Sequence, residues 1–472
     1  MVRLGLVLLL VVASARADDV VPRLRKSLVK LSVSTQAYSA TSPWNKGAVG
    51  RKSGRGVVVQ PGVILTPAVN VRNHIMVEVS VANSVRRYPA VLRHVDYRIG
   101  LALVEISDET LKATMEPLPV GDPLGIDDEV DVYQLGGDNM VERTTARVIR
   151  ANASFTRLTL TVQTSGSDSG NGQTAIKDGK IVGLLTRTQS SKQRGTLLSV
   201  ETIRHYLDDF KDGKYDGLPG AGVWWQALLR DDLRDHYGVG EDQHGVAITR
   251  IGAGRTGFGV LKVGDVLAKL DGHEIDDEGR FNHGTHGRLS MTYLWGGRHH
   301  AGDTVKATVL RGGKPVEVEF VLKSFPRSEQ VVPSAVVGGR HEYLVVGGLV
   351  ILELTSSVSA GTGSVLRRYR DRAGWDPPTD RRRVVFVDRV LADPSNKGYG
   401  NLRQAVIETV NGQKVREIKD VAVALRRADG DFHVFTFEGG EADFVVRAGE
   451  LDKINARIAE SYNVKPLRYL KK

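Results

Sequence analysis

The chain has 472 residues, 41% hydrophobic and 25% charged, which is the composition of a soluble globular protein of about three domains. It contains no cysteine, so disulfides, thiolate nucleophiles and cysteine-based metal sites are excluded. A net charge of +10 is modest for this length and does not by itself mark a nucleic-acid binder.

In chain order, the first feature is a short basic start, Met1 to Arg3, followed by the apolar run Leu4 to Ala13 and the small residues flanking Arg16 in Ala15-Arg16-Ala17. This pattern predicts a secretory signal peptide over 1–17, because the apolar run is too short for a stable spanning helix. The mature chain is expected to begin near Asp18 and to insert in no membrane thereafter.

A first domain is expected over 18–213. From Leu28 to Thr186 the residues alternate or are β-branched, as in Gly56-Val57-Val58-Val59 and Met76-Val77-Glu78-Val79-Ser80-Val81, and glycine turns separate the runs. Many short strands of this kind point to a barrel or sandwich. Val200, Ile203, Leu207 and Phe210 then recur at helical spacing behind Ser199, a good N-cap, and predict a closing helix over Ser199 to Phe210.

A second domain is expected over 216–327 and a third over 330–472. The second contains the strand Gly245 to Ile251 and a hairpin pattern in which Gly312-Gly313 joins Lys306–Leu310 to Val316–Phe320. The third repeats the plan: Val384 to Val390 parallels the Gly245 strand, and Val410-Asn411-Gly412-Gln413 parallels Leu270-Asp271-Gly272-His273. A diverged internal duplication accounts for both, and two copies of one module suggest a binding array.

Three further patterns have simpler readings. Gly252-Ala253-Gly254-Arg255-Thr256-Gly257 matches GxGxxG, but no helix-forming segment follows to hold a pyrophosphate, so it is read as a loop. His283, His286, His299 and His300 lack acidic partners at zinc-site spacing and are read as loop histidines. Arg367, Arg368, Arg370, Arg372 and Arg381 to Arg383 are interrupted by Asp371, Trp375 and prolines, and are read as a solvated connection.

The first domain resembles the trypsin-like domain of the HtrA/Deg family of serine proteases. Gly54-Arg55-Gly56-Val57-Val58-Val59 is similar to the family's barrel-entry strand. Val63-Ile64-Leu65-Thr66 resembles the strand delivering the catalytic histidine, and Gly100-Leu101-Ala102-Leu103-Val104 the strand after the aspartate. Gln163-Thr164 through Ser169-Gly170-Asn171 resembles the approach to the nucleophile, and Gly179 to Gly183 the strand after it. Pro43-Trp44, Tyr343 to Val350, Val385 to Leu391 and Asn411-Gly412 resemble the two-PDZ organelle-type members and their bacterial relatives. The resemblance implies a mainly β chain, a trypsin-like double barrel followed by two PDZ-like domains.

The catalytic triad departs from the family pattern. A Ser-His-Asp site needs a hydroxyl nucleophile, an imidazole base and a carboxylate that orients it. By the resemblance, the histidine position is Val69, the aspartate position Gly100 and the serine position Gly172, so no catalytic residue is assigned. The glycine pair that would follow the nucleophile is replaced by Gln173-Thr174. One alternative is a relocated serine endopeptidase site at Ser169, within Ser167-Asp168-Ser169-Gly170-Asn171. His74, His94 and His205 are the histidines of this domain, and one of them would have to lie about 3 Å from that hydroxyl.

With catalysis set aside, the PDZ grooves become the functional candidates. A PDZ groove takes an extended peptide as an added strand and turns backbone N–H groups toward its terminal carboxylate. The resemblance assigns that turn to Gly220, Ala221, Gly222 and Val223 in the first PDZ-like domain and to Gly347, Gly348, Leu349 and Val350 in the second. The implied protein is exported, to the periplasm in a Gram-negative source. It binds C-terminal or extended peptides or unfolded proteins without cutting them, in protein quality control, scaffolding or regulation of active Deg relatives. The resemblance further implies a trimer-based homo-oligomer or a mixed oligomer with those relatives. Neither cofactor, metal nor nucleic acid is expected.

Overall fold

The computed structural model describes residues 20–165, 171–220, 222–326, 329–358, 364–372 and 381–471. The expected signal peptide, the serines Ser167 and Ser169, and Ala221 lie outside the described residues. The chain forms two compact units; the first ends at Ser324, and the second comprises Gln36–Ala48, Gly252–Gly254 and the residues from Phe325 onward.

The first unit opens with helix α1 (Val20–Ser27) and a closed barrel of strands β1 (Leu28–Thr35), β2 (Gly50–Gln60), β3 (Val63–Pro67), β4 (His74–Val81), β5 (Tyr88–Asp96) and β6 (Leu101–Ile106), in the order β1-β2-β3-β6-β5-β4. Helix α2 (Glu109–Thr114) leads to a second closed barrel. Its strands are β7 (Glu129–Leu135), β8 (Val141–Ala153), β9 (Leu158–Thr164), β10 (Gln173–Lys177), β11 (Lys180–Gln189) and β12 (Arg194–Ser199), in the order β10-β11-β12-β9-β8-β7. Val29, Leu31, Val58, Ile64, Val79 and Val104 fill the first barrel. Val132, Val148, Leu160, Val162 and Leu197 fill the second. Closure joins the first and last strands of each barrel, and alternation along each strand supplies the inward face. A third cluster, including Leu65, Leu101, Tyr133, Leu135, Leu198 and Tyr206, lies between the barrels.

Helix α3 (Val200–Asp208) closes the barrels, with Ser199 Oγ accepting from Thr202 N–H as its N-cap. The predicted helix ran to Phe210; the regular part stops at Asp208, and Phe210 packs in the following turn against Tyr206 and Tyr215.

The first unit continues with a sheet of β13 (Val223–Ala227), β14 (Val246–Ile251), β15 (Val266–Leu270), β16 (His273–Glu274), β19 (Thr304–Arg311) and β20 (Lys314–Val321). Helix α4 (Asp231–Tyr237), the hairpin β17 (Arg280–His283) and β18 (Gly287–Ser290), and helix α5 (Thr292–Gly296) accompany it. The order is β13-β14-β15-β19-β20, and β19 and β20 form the hairpin expected around Gly312-Gly313. The Gly252–Gly257 run forms turns with no helix.

The second unit has β21 (Tyr343–Val346), β22 (Leu349–Glu353), α6 (Val365–Arg372), β23 (Val385–Val390), β24 (Ala405–Val410), β25 (Gln413–Lys414), α7 (Ile418–Ala424), β26 (Phe432–Phe437), β27 (Phe444–Arg447), α8 (Leu451–Ser461) and β28 (Arg468–Tyr469). Its order β22-β23-β24-β26-β27 repeats that of the first sheet. The two tight hairpins match in detail. Leu270 pairs with His273 across Asp271 (φ +50°) and Gly272 (φ +77°), and Val410 pairs with Gln413 across Asn411 (φ +51°) and Gly412 (φ +72°). Two consecutive positive φ values select Asp/Asn-Gly. The fold is mainly β, two six-stranded barrels followed by PDZ-like α+β modules, as expected.

Candidate functional site

The three positions that the resemblance assigns to a triad lie near the end of β3. Strand β3 runs into a 3-10 turn over Ala68–Val71, on which Val69 is 44% exposed. Ala68 N–H donates to Gly100 O at 2.8 Å. Gly172 also faces this turn: a Cβ on it would stand 3.0 Å from Pro67 Cδ. None of the three carries a group that can attack, take a proton or hold an imidazolium.

Room for a nucleophile is also missing. Gly172 has φ +101°, and a Cβ built on it would lie 2.1 Å from the carbonyl oxygen of Arg55. Its N–H, the kind of donor that lines an oxyanion hole, donates instead to Leu185 O at 2.8 Å. A Cβ on Gly100, at φ +92°, would lie 2.8 Å from Arg157 Nη1.

A polar network fills the cleft. Arg55 N–H donates to Asn171 O at 3.0 Å, and Arg55 Nε crosses to Leu135 O of the second barrel at 2.7 Å. Thr66 Oγ1 donates to Arg55 O at 2.7 Å, and Asn70 Nδ2 donates to Thr66 Oγ1 at 2.9 Å and to Asn171 O at 3.1 Å. Arg55, Thr66 and Asn70 are buried. Gln173 continues the pattern, donating to Gln134 Oε1 at 2.9 Å.

The histidines weighed as bases have other partners. His74 Nδ1 lies 3.0 Å from Val71 O, and His94 Nδ1 lies 3.0 Å from the Tyr206 hydroxyl. Burial lowers the His94 pKa against the pull of Asp96 and Asp209. The His205 ring stacks on His300 at 4.0 Å, and burial together with that second ring takes its pKa down to about 4. His283 stacks on His286, whose Nε2 lies 2.8 Å from Glu201 Oε1, and His299 lies between Asp271 and Asp303. Among the described residues no three metal-ligating side chains cluster. Of the arginine run, Arg367, Arg381, Arg382 and Arg383 reach Asp371, Glu438, Glu417 and Glu353.

In the first PDZ-like module, Gly220, Gly222 and Val223 lead into β13, an edge strand that among the described residues pairs with β14 alone. Gly222 is demanded by close approach, since a Cβ there would lie 2.8 Å from Thr256 O. Gly220 N–H donates to Lys323 O at 2.7 Å. Gly220, Gly222, Val223, Thr292 and Trp295 line a cavity of about 60 Å³ together with Phe155 from the β8–β9 turn. Gly296 of α5 meets the same turn: its Cβ would stand 2.0 Å from Phe155 O.

The second module differs at the equivalent strand. Gly347 (φ +58°) and Gly348 (φ +95°) form the turn that folds β21 back along β22, pairing Val346 with Leu349 and Val345 with Val350. Strand β22 is therefore bonded on both sides, by β21 and by β23, and β28 extends the sheet beyond β21. Gly347 N–H donates to Asn455 Oδ1 at 2.8 Å, and Gly348 O accepts from Leu391 N–H at 2.8 Å.

Sequence reasoning did not single out Arg55, Asn70 or Phe155. The first two act through partners far along the chain. Phe155 carried a local signal, a large apolar residue at the polar hairpin tip Ser154-Phe155-Thr156.

Comparison with known proteins places these features. A family profile for the PDZ domain matches residues 332–468. Protease Do-like 2, chloroplastic, of Arabidopsis thaliana is 28% identical over 436 residues, covering 87% of this chain and 70% of its own length. Protease Do-like 4, mitochondrial, of the same plant is 25% identical, covering 83% and 75%. A variant of the HtrA-type protease AlgW solved with a decapeptide superposes with a TM-score of 0.50 at 17% identity, over 66% of this chain and 97% of that one. The chain is a homologue of the HtrA/Deg-family proteases, with a trypsin-like double barrel and a PDZ domain.

Proposed function

We propose that this homologue is an exported pseudoprotease that binds peptides or unfolded chains without hydrolysing them. The observation that carries this reading is the position of Gly172: the space a nucleophile's side chain would need holds the Arg55 carbonyl oxygen, 2.1 Å from the built Cβ. The residual rate left when a triad member is removed, typically about 10⁴–10⁶-fold lower, would be negligible. Export rests on the apolar run Leu4 to Ala13. Assembly as a trimer-based oligomer, alone or with active relatives, belongs to the same proposal.

Peptide binding is supported by the open edge of β13, which offers backbone N–H and C=O groups to an added strand. The homologous fold of AlgW is solved with a decapeptide. In the second module β21 already occupies one side of β22, so the first groove is the one this reading assigns to peptides.

The test is casein degradation and fluorophosphonate labelling by the purified mature protein, with Ser169→Ala beside it and trypsin as positive control. Neither cutting nor labelling is expected. Cutting by the parent that Ser169→Ala abolishes would establish a relocated endopeptidase site and end the proposal.

A further inference from the structure

Beside β13 lies a larger cavity of about 520 Å³, within the size range of ligand sites. Trp225 of β13, the β17–β18 hairpin and the barrel strand segment Ile149–Ala153 wall it. That segment lies past the last β7 pairing, Glu129 with Arg147, and among the described residues is paired only with β9. The cavity thus sits between an edge strand of the PDZ-like module and a singly paired stretch of barrel.

Its charge is one-sided. Arg150, Arg280 and Arg288 line it against a single carboxylate, Glu278. Glu278 is shared by Arg280 at 3.4 Å and Arg288 at 2.9 Å, and Arg288 also holds Asp276. Arg150 has no ion pair or side-chain hydrogen bond among the described residues and is exposed at the wall. His286 also lines it: its Nε2 meets Glu201, and its buried Nδ1 has no hydrogen-bond partner among the described residues. Trp225 is held in place by Gly279, where a Cβ would meet the indole at 2.6 Å.

We propose that this cavity reads acidic side chains of the bound peptide, with Arg150 of the barrel as the specificity-determining residue. The inference rests on peptide binding along β13. A strand added antiparallel to β13 ends at the Gly220–Val223 turn. Trp225 stands two residues along from Val223, about 7 Å at the rise of a strand. The carboxylates therefore belong two to four residues before the peptide's C-terminus. A guanidinium contributed by the barrel makes the site composite, so the PDZ-like sheet alone would lack the preference.

The test is fluorescence anisotropy of the full mature chain with labelled octapeptides ending in Val, carrying Glu-Glu, Gln-Gln or Lys-Lys at the third and fourth positions from the end. The Glu-Glu peptide should bind about five- to tenfold tighter than Gln-Gln at low salt, with Lys-Lys weakest. Arg150→Glu should erase that preference while leaving the Gln-Gln affinity within about twofold. Arg150→Lys should retain most of it. Equal binding of Glu-Glu and Gln-Gln, or a preference that survives Arg150→Glu, would overturn the acidic reading and leave peptide binding standing. Binding of no peptide would overturn both.

Discussion

The carbonyl oxygen of Arg55 sits where the side chain of residue 172 would begin, 2.1 Å from a Cβ built on Gly172. On the proposed pseudoprotease reading, the absence of a hydroxyl at residue 172 and the absence of room for one go together. Restoring the triad by Val69→His, Gly100→Asp and Gly172→Ser is expected to give no caseinolysis above the parent. Gly172→Ser alone should destabilise the barrels by about 2–5 kcal/mol, from the positive φ together with the clash. Thermal melts of the single and triple variants check the second outcome, and casein assays the first. Activity regained by the triple variant would show that the Arg55 strand yields.

Asn70 is the second measure of how the cleft is held. Its amide donates to Thr66 Oγ1 and to Asn171 O, both inside the buried network. Asn70→Ala leaves those acceptors short of a donor and opens space beside Gly54, whose built Cβ lies 2.5 Å from Asn70 Cγ. A loss of about 2–3 kcal/mol in urea unfolding is expected. Asn70→Asp should cost at least as much, because it replaces the donor with a buried charge.

Local chemistry explains which parts of this architecture are legible in the sequence. The Asp271-Gly272 and Asn411-Gly412 turns need positive φ at both residues, and few other pairs allow it. Ser199 announces α3 because its hydroxyl caps Thr202 N–H. That Val69, Gly100 and Gly172 carry no group able to attack or take a proton is likewise visible in the sequence. The polar network around Arg55 is not visible, since Arg55 meets Leu135 and Asn171 only after both barrels close. The pairing of β21 with β22 carries the same local signal as the β19–β20 hairpin, a Gly-Gly pair between two apolar runs, although the family resemblance points Gly347-Gly348 toward a carboxylate-binding turn.

Phe155 and Gly296 hold the β8–β9 turn against α5. Phe155 packs with Val223 and Trp225 on the cluster that includes Leu158, Trp295 and Leu322. Phe155→Ala is expected to lower stability by about 2–3 kcal/mol, below the full-core range because the ring is only partly buried. Gly296→Val must push the turn away, since the Phe155 carbonyl leaves no room for a side chain. Limited proteolysis should then cut the Lys211–Gly217 connection faster in Gly296→Val than in the parent. Equal cleavage rates would mean that this contact does not restrain the module.

The His205–His300 stack makes the first unit sensitive to mild acid. Burial, then the neighbouring His300, lowers the His205 pKa from 6.5 to about 4, while Asp208 and Asp303 act in the opposite sense. At pH 5 the folded His205 is neutral, whereas an unfolded histidine has bound a proton. The unfolded state therefore takes up more protons as pH falls through this window. Stability contributed by the neutral ring is complete above about pH 6.5 and is lost progressively toward pH 4, by up to about 3 kcal/mol. Carboxylates elsewhere add their own acid loss, so the informative quantity is the difference between the parent and His205→Gln. Urea midpoints of the two should diverge in slope between pH 6.5 and 4.5, with the parent falling more steeply. Parallel slopes would mean that the ring takes up its proton in the folded chain as readily as in the unfolded one.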